Sequence, residues 1–371
     1  MASKMGKAMV ATGLNIPWEM REYPIPDPEP DAIVTKITMA SICGSDIHTY
    51  KGELKRADVL GSKENPKILG HEMMGRVYKL GSNVKTDYSG QPLKEGDRVV
   101  WCYFLPCGKC QACLNEVSPC PNRLKHAVVG CQEYPHFKGA FAEYYYVRPG
   151  QWIYKVPDSL SDEAVVYVNC AASTVTYGLH KVELPLGARV VIQGAGGLGI
   201  SAAPIAKDMG AAQVMVVDKF ANRLELAKAF GADHTININE YPTPEARIQK
   251  VKELTGGKGV DLTIEVASDP DAVAEGIQML GFGGTYLTMG IITGEISKLS
   301  MEPFILRGLK LIGSANYRSW TIPRVLDFME RNRDKYPFDK MISHKFKLKD
   351  IEEAFRQVVA GKVLRAALVT D

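Results

Sequence analysis

The run Arg189-Val190-Val191-Ile192-Gln193, leading straight into Gly194-Ala195-Gly196-Gly197-Leu198-Gly199, decides how the second half of this 371-residue chain folds. Three consecutive aliphatic residues predict a buried strand, and the G-x-G-x-x-G that follows predicts a sharp turn opening into a helix. In such a turn the first glycine permits the tight backbone, the second lets a pyrophosphate approach, and the third lets the helix pack closely. The phosphates then meet free N–H groups at the positive end of the helix dipole. Asp218 follows Gly199 by 19 residues, at the end of the next strand-like run, where a carboxylate binds ribose hydroxyls. An ordinary turn followed by a surface aspartate is the competing reading, and strand, glycines and acid standing in register count against it. The charge of Asp218 repels a 2′-phosphate, so NAD is the expected cofactor. Lys219 and Arg223 are the nearby residues that could admit NADP; Arg223 otherwise faces adenine or solvent.

Outward from this point, strands alternate with helical periods, the pattern of a parallel sheet. Residues 213–217, 262–266 and 285–289 read as strands, and 198–209, 223–230 and 272–280 as helices. Residues 8–157 have a different texture: short strands broken by Gly, Pro and Asp, as in a barrel-like β domain. Near the end, 322–332 and 351–360 read as amphipathic helices, with 345–348 as a strand.

The composition, 23% charged and 46% hydrophobic, is that of a globular chain and argues against disorder or a coiled coil. Lys+Arg 45 against Asp+Glu 42 gives no clustered positive charge for nucleic acid. Apolar runs are too short for a bilayer span, and residues 1–10 carry no secretory signal, so the expected compartment is the cytoplasm.

Six of the eight cysteines fall between Cys102 and Cys131. Without a secretory signal, thiolates kept for metal are expected over disulfides. Cys107, Cys110, Cys113 and Cys120 place four thiols within 14 residues, enough to close a tetrahedral structural zinc site. An iron–sulfur cluster shares the C-x2-C-x2-C opening, but no second cluster run accompanies Cys120-Pro121. A second, open site can be assembled from Cys43, His71-Glu72 and Cys170: one imidazole and two thiolates leave the fourth zinc position for water or an alcohol oxygen. Taken singly, each of these residues could instead be ordinary core or a satisfied polar pair.

With CGSDIH at 43–48, GHE at 70–72, GDRV at 96–99, the cysteine lobe, GAGGLG and the GKVLR at 361–365, the chain resembles the zinc-containing medium-chain dehydrogenase/reductase superfamily of alcohol and polyol dehydrogenases over nearly its whole length. The resemblance implies an α/β protein: a GroES-like β-barrel catalytic domain at 1–171 and 317–371, and a Rossmann doubly wound nucleotide domain at 172–316. It implies Cys43, His71 and Cys170 as catalytic zinc ligands with Glu72 beside them, Asp46 orienting His71, Ser45 and His48 as a proton relay through the cofactor ribose, and Arg365 on the pyrophosphate. It also implies two Zn2+ per subunit and a homodimer or homotetramer, for which 309–315 (LKLIGSA) reads as an exposed sheet edge.

Two departures stand out. The gap from Cys113 to Cys120 is one residue shorter than the family's commonest spacing, and residues 86–95 (TDYSGQPLKE) look like an inserted surface hairpin. Serine at position 45, where the family often has the bulkier threonine, leaves room beside the metal for secondary, cyclic or polyol substrates. Tyr103, Leu54 and Trp101 are expected pocket walls or core. The expected reaction is hydride transfer between an alcohol and NAD. A carbonyl reductase working in the opposite direction with NADH or NADPH is the alternative.

Overall fold

The strand Ile33–Ser41 organises the first of two units in the computed structural model, which describes residues 4–54, 60–125, 129–292, 296 and 299–370. The chain ends counted in the sequence-based domain bounds, 1–3 and 371, lie outside the described residues. One edge of this strand pairs antiparallel with Glu72–Leu80, the other with Tyr144–Val147 and Ala366–Val369. Register shifts near Val34 and Ile37 bend it, as bulges do where a sheet curls. Arg98–Trp101 and Ile153–Lys155 extend the sheet beyond Glu72–Leu80. Ile37, Trp101, Phe141, Phe355 and Leu368 meet in the core beneath it. The ladder sets Ser41 opposite Glu72 and Ala367, bringing three distant stretches of sequence to one point. This unit comprises Met1–Cys170, Ile322–Arg333 and Phe338–Asp371.

Two features project from it. Phe104–Leu105 pairs with Leu124–Lys125, and this short ladder forms the neck of the cysteine lobe. Residues 86–95 do form a hairpin, bridged at Thr86 and Pro92. Its staple is the buried Asp87, which accepts hydrogen bonds from the Ser89, Gln91 and Lys155 N–H groups at 2.8, 3.0 and 3.0 Å.

The second unit, Ala171–Thr321 with Asp334–Pro337, is built on a parallel six-stranded sheet. Its order is His234–Asn237, Gln213–Asp218, Arg189–Gln193, Val260–Glu265, Leu280–Thr288, Lys310–Gly313. The chain starts at an inner strand, winds outward two strands, then crosses to the far side, so the strand order reverses beside the fingerprint. Val190, Val191 and Ile192 are fully buried, as consecutive apolar residues must be in a strand covered on both faces. Each contributes about 1.5–3 kcal/mol by leaving water. Among the described residues no helix is long and apolar enough to cross a membrane.

Candidate functional site

Cys43, His71, Glu72 and Cys170 converge, their ligand atoms all within 4.8 Å of one another. Cys43 caps the helix Gly44–Tyr50. His71 and Glu72 stand where the chain enters the strand Glu72–Leu80, and Cys170 sits in the π-helical turn Val168–Ala172. Asp46 organises the group with both carboxylate oxygens: Oδ2 accepts from the Cys43 N–H at 2.9 Å, and Oδ1 faces His71 Nδ1 at 3.1 Å. In the neutral ring that contact favours the proton on Nδ1, which turns the Nε2 lone pair toward a metal.

The electrostatics follow from burial and crowding. Its hydrogen bond with Cys170 holds the Cys43 thiol well below the ordinary thiol range, with His71 adding to the effect, while the same contact and burial push Cys170 up. The two thiols thus titrate as a pair, one proton leaving readily. Burial disfavours the His71 imidazolium, but Asp46 outweighs it and keeps the pKa well above the usual value. Glu72 is fully buried and its carboxyl is pushed up to about 7 by burial, against the pull of Arg365.

The residues fit a zinc ion. Two soft thiols and an imidazole nitrogen are its preferred donors, and Glu72 Oε1 is buried beside them with no hydrogen-bond partner among the described residues. An acceptor left so costs about 1–3 kcal/mol unless something meets it. The lobe fits a second ion. Cys107, Cys110, Cys113 and Cys120 gather within the same 4.8 Å, with Cys120 Sγ 3.6 Å from Cys107 Sγ and 3.7 Å from Cys110 Sγ. Four sulfurs at about 2.3 Å from a tetrahedral centre lie about 3.8 Å apart. Backbone N–H groups of Lys109 and Cys110 lower the Cys107 pKa to about 6, which favours the thiolate form that binds metal.

The other predicted residues take these places. Ser45 Oγ lies 3.4 Å from His71 Nε2. His48, on the same helix, pairs through Nδ1 with Glu53 at 2.5 Å. Arg365 is buried, its guanidinium on the Glu72 carboxylate and its Nε 3.5 Å from Ser41 Oγ, with Ser41 also donating to Glu72. Tyr103 packs its ring 4.8 Å from that of His71, whereas Trp101 is core against Tyr145.

In the second unit, Gly196 caps the helix Gly197–Asp208 and Leu198 lies in its first turn. A Cβ on Gly199 would sit 1.8 Å from the Gly194 carbonyl oxygen, whereas one on Gly196 would meet nothing within 4 Å. The third glycine is thus required by the protein's own packing, and the space over the second is open, the cradle a pyrophosphate needs. Asp218 Oδ2 accepts from the Ala195 N–H at 2.7 Å and Oδ1 from Phe220 at 2.9 Å, which ties the acid to the fingerprint turn. Arg223 lies over the Phe220 ring at 4.6 Å.

Sequence reasoning missed Asn169. Its Nδ2 donates to the carbonyls of His71 at 3.1 Å and Trp101 at 2.9 Å, joining the turn of Cys170 to that of His71. An amide inside the apolar run VVYVNCAA was the available signal.

Residues 29–158 match the family model of the alcohol dehydrogenase GroES-like domain, and 197–331 that of the zinc-binding dehydrogenase. The chain is 31% identical to 5-exo-hydroxycamphor dehydrogenase of Pseudomonas putida, covering 94% of this chain and 95% of that one. It is also 31% identical to sorbitol dehydrogenase of Bacillus subtilis, over 84% and 82%. An alcohol dehydrogenase structure from Thermotoga maritima superposes with a TM-score of 0.91 at 31% identity over the full length of both chains. The chain belongs to the zinc-dependent medium-chain alcohol and polyol dehydrogenases. It is a zinc-dependent alcohol oxidoreductase that uses a nicotinamide dinucleotide.

Proposed function

We propose that this enzyme oxidises secondary, cyclic or polyhydroxylated alcohols with NAD in the cytoplasm, as a homo-oligomer holding two zinc ions per subunit. The observation that carries the reading is the Cys43, His71, Glu72, Cys170 cluster with Asp46 behind it. Residues 1–171 and 317–371 form the catalytic part and 172–316 the NAD-binding part: both thiol clusters lie in the first and the fingerprint in the second. Bound at the open cluster, zinc supplies a Lewis acid that acidifies an alcohol hydroxyl, and NAD supplies the hydride acceptor.

The protein's own groups do the rest. Cys43, His71 and Cys170 hold the ion, and Glu72 is the carboxylate available to it. Asp46 keeps His71 in the tautomer that presents Nε2. Ser45 takes the substrate proton at Oγ as it passes its own hydroxyl proton on toward His48, three residues on, which releases it to solvent. Gly194, Gly196, Gly197, Leu198 and Gly199 cradle the pyrophosphate, to which the family resemblance adds Arg365. Asp218 takes the ribose, with Arg223 at the adenine side. The relatives named for hydroxycamphor, a cyclic alcohol, and sorbitol, a polyol, support the substrate class. Six of eight cysteines committed to metal clusters suit a reducing compartment. The outermost strand Lys310–Gly313, with Leu311 half exposed, suits pairing of copies along that edge.

Screening NADH formation across primary, secondary, cyclic and polyhydroxylated alcohols, with zinc measured on the same sample, tests the reading. Activity confined to primary alcohols, or full activity with fewer than about one zinc per chain, overturns it. Asp218→Ala loses ribose hydrogen bonds of about 1.5–3 kcal/mol each, weakening NAD and favouring NADP relatively. An unchanged NAD to NADP preference assigns the discrimination to another residue. Light scattering that finds only monomer removes the edge-pairing proposal.

A further inference from the structure

One acidic side chain in the second unit has no part in the chemistry described so far. Glu265 ends the strand Val260–Glu265 in register with Gln193, the last residue of the fingerprint strand, and it is fully buried. Its Oε1 accepts the Ser268 N–H at 2.7 Å and its Oε2 the Thr288 hydroxyl at 3.1 Å. Its main-chain carbonyl accepts the N–H groups of Met289 and Gly290 at 3.0 and 3.1 Å. One residue therefore ties together the loops that leave two adjacent strands at their C-terminal ends.

Three observations mark this as a built clamp. Ser268 has φ +61°, a left-handed conformation that costs a non-glycine residue free energy and persists only where neighbours impose it. At Gly290 a Cβ would lie 2.7 Å from both Glu265 carboxylate oxygens, so the loop backbone presses directly on the acid. At Gly194 a Cβ would lie 2.9 Å from the N and Cα of Ala267, so the fingerprint turn itself packs on the loop that Glu265 holds. The partners of the carboxyl are neutral donors, and burial pushes it above its ordinary range. A sheet needs no such residue for stability; an apolar side chain would serve it better.

Strand order says what the clamp is for. The chain leaves the fingerprint strand outward on one side and returns at Val260–Glu265 on the other, and doubly wound sheets bind ligands in the crevice outside those two strand ends. We propose that Glu265 is a positioning residue for the dinucleotide: it fixes residues 266–269 as the lip of the crevice facing the glycine turn, so that the cofactor half beyond the Asp218 ribose meets a preformed wall. The proposal rests on reading this unit as the dinucleotide site. Preorganising such a lip moves its ordering cost out of the binding step.

Titrating the zinc-loaded enzyme with NADH, followed by fluorescence, measures affinity without turnover. Glu265→Ala is expected to raise the NADH Kd about tenfold and the KM for NAD in parallel, with kcat at saturating NAD within about twofold and zinc content unchanged. Glu265→Gln keeps an acceptor for the Ser268 amide and is expected to stay within about threefold of wild type. Gly290→Ala drives a methyl into the carboxylate and is expected to reproduce Glu265→Ala. A Glu265→Ala protein with lowered thermal stability but unchanged NADH Kd overturns the proposal. If that variant does not fold, an unchanged Kd in Gly290→Ala overturns it. Wild-type enzyme that binds no NADH at all would instead overturn the dinucleotide reading itself.

Discussion

The two thiol clusters use similar atoms and are made in opposite ways. The lobe draws four cysteines from 14 consecutive residues, carried on the neck Phe104–Leu105 with Leu124–Lys125 and the short helix Gln111–Leu114. The mixed cluster draws on residues 43, 71, 72 and 170 and surrounds them with Ser41, Asp46, Asn169 and Arg365. A local site carries its order in its spacing; an assembled site needs neighbours to orient each ligand, and those neighbours can shape reactivity. Loss of a lobe ligand is therefore expected to act through stability alone, and damage to the mixed cluster through chemistry as well.

The sharpest way to break that contrast is to remove one ligand from each. His71→Ala is expected to abolish turnover and leave one zinc per chain, whereas Cys113→Ser is expected to lose the other zinc and lower thermal stability without touching the reacting groups. Mild chelation should discriminate in the same direction, stripping activity while about one zinc remains. Loss of lobe zinc before activity, by metal analysis during chelation, would reverse the comparison.

Next in size is Arg365→Ala. Removing one partner of a buried ion pair costs about 3–5 kcal/mol, read as a drop in Tm, while Lys109→Ala on the exposed lobe should stay within about 0.5 kcal/mol. Equal effects would show that the mixed cluster gains nothing from its surroundings. Asp46→Asn should follow, with a loss of about 10-fold to 100-fold in zinc affinity or kcat, since it unsettles the His71 tautomer. Zinc affinity and kcat both unchanged would show that the His71 ring is held by packing alone.

The smallest effect belongs to His48. His48→Ala should lower kcat near neutral pH by no more than about 100-fold, with recovery at higher pH or with added imidazole, and Ser45→Ala should be worse and barely rescued. Hydrogen bonding to His48 holds Glu53 below the usual carboxylate range. The pair's stabilisation is thus present above about pH 4.3 and lost as pH falls through the folded value of Glu53. A pH–rate profile for His48→Ala superimposable on wild type removes the residue from the relay.

How much of this was legible in the sequence follows the same division. The fingerprint strand and its helix were plain because Val190, Val191 and Ile192 are apolar for a single reason, burial on both faces. The helix Pro244–Leu254 was less plain, because few of its residues are fully buried; its clearest mark was the start, where Thr243 Oγ1 accepts from the Ala246 N–H and Pro244 follows the cap. The strand His234–Asn237 is four residues long and buries only Ile236, too little for a period to show. In the mixed cluster the ligand types could be picked out, but not their arrangement. Asp46 and His71 are 25 residues apart and Arg365 and Glu72 293 apart, and no spacing rule reaches that far. Asn169 and Glu265 each sit among apolar neighbours, and only the fold shows which backbone groups they serve.

The pairing of Arg365 with Glu72 also sets an order of events in biosynthesis. At ribosomal speeds of about 5–20 residues per second, on the order of 15–60 s separates the synthesis of the buried acid from that of its counter-charge. All four lobe cysteines emerge within a few seconds of one another, so that region can capture its metal while the chain is still being made. The reactive centre has no balanced charge until the strand Ala366–Val369 and the arginine before it have been added to the sheet. The residues of the structural site are thus complete in the nascent chain well before those of the reactive one.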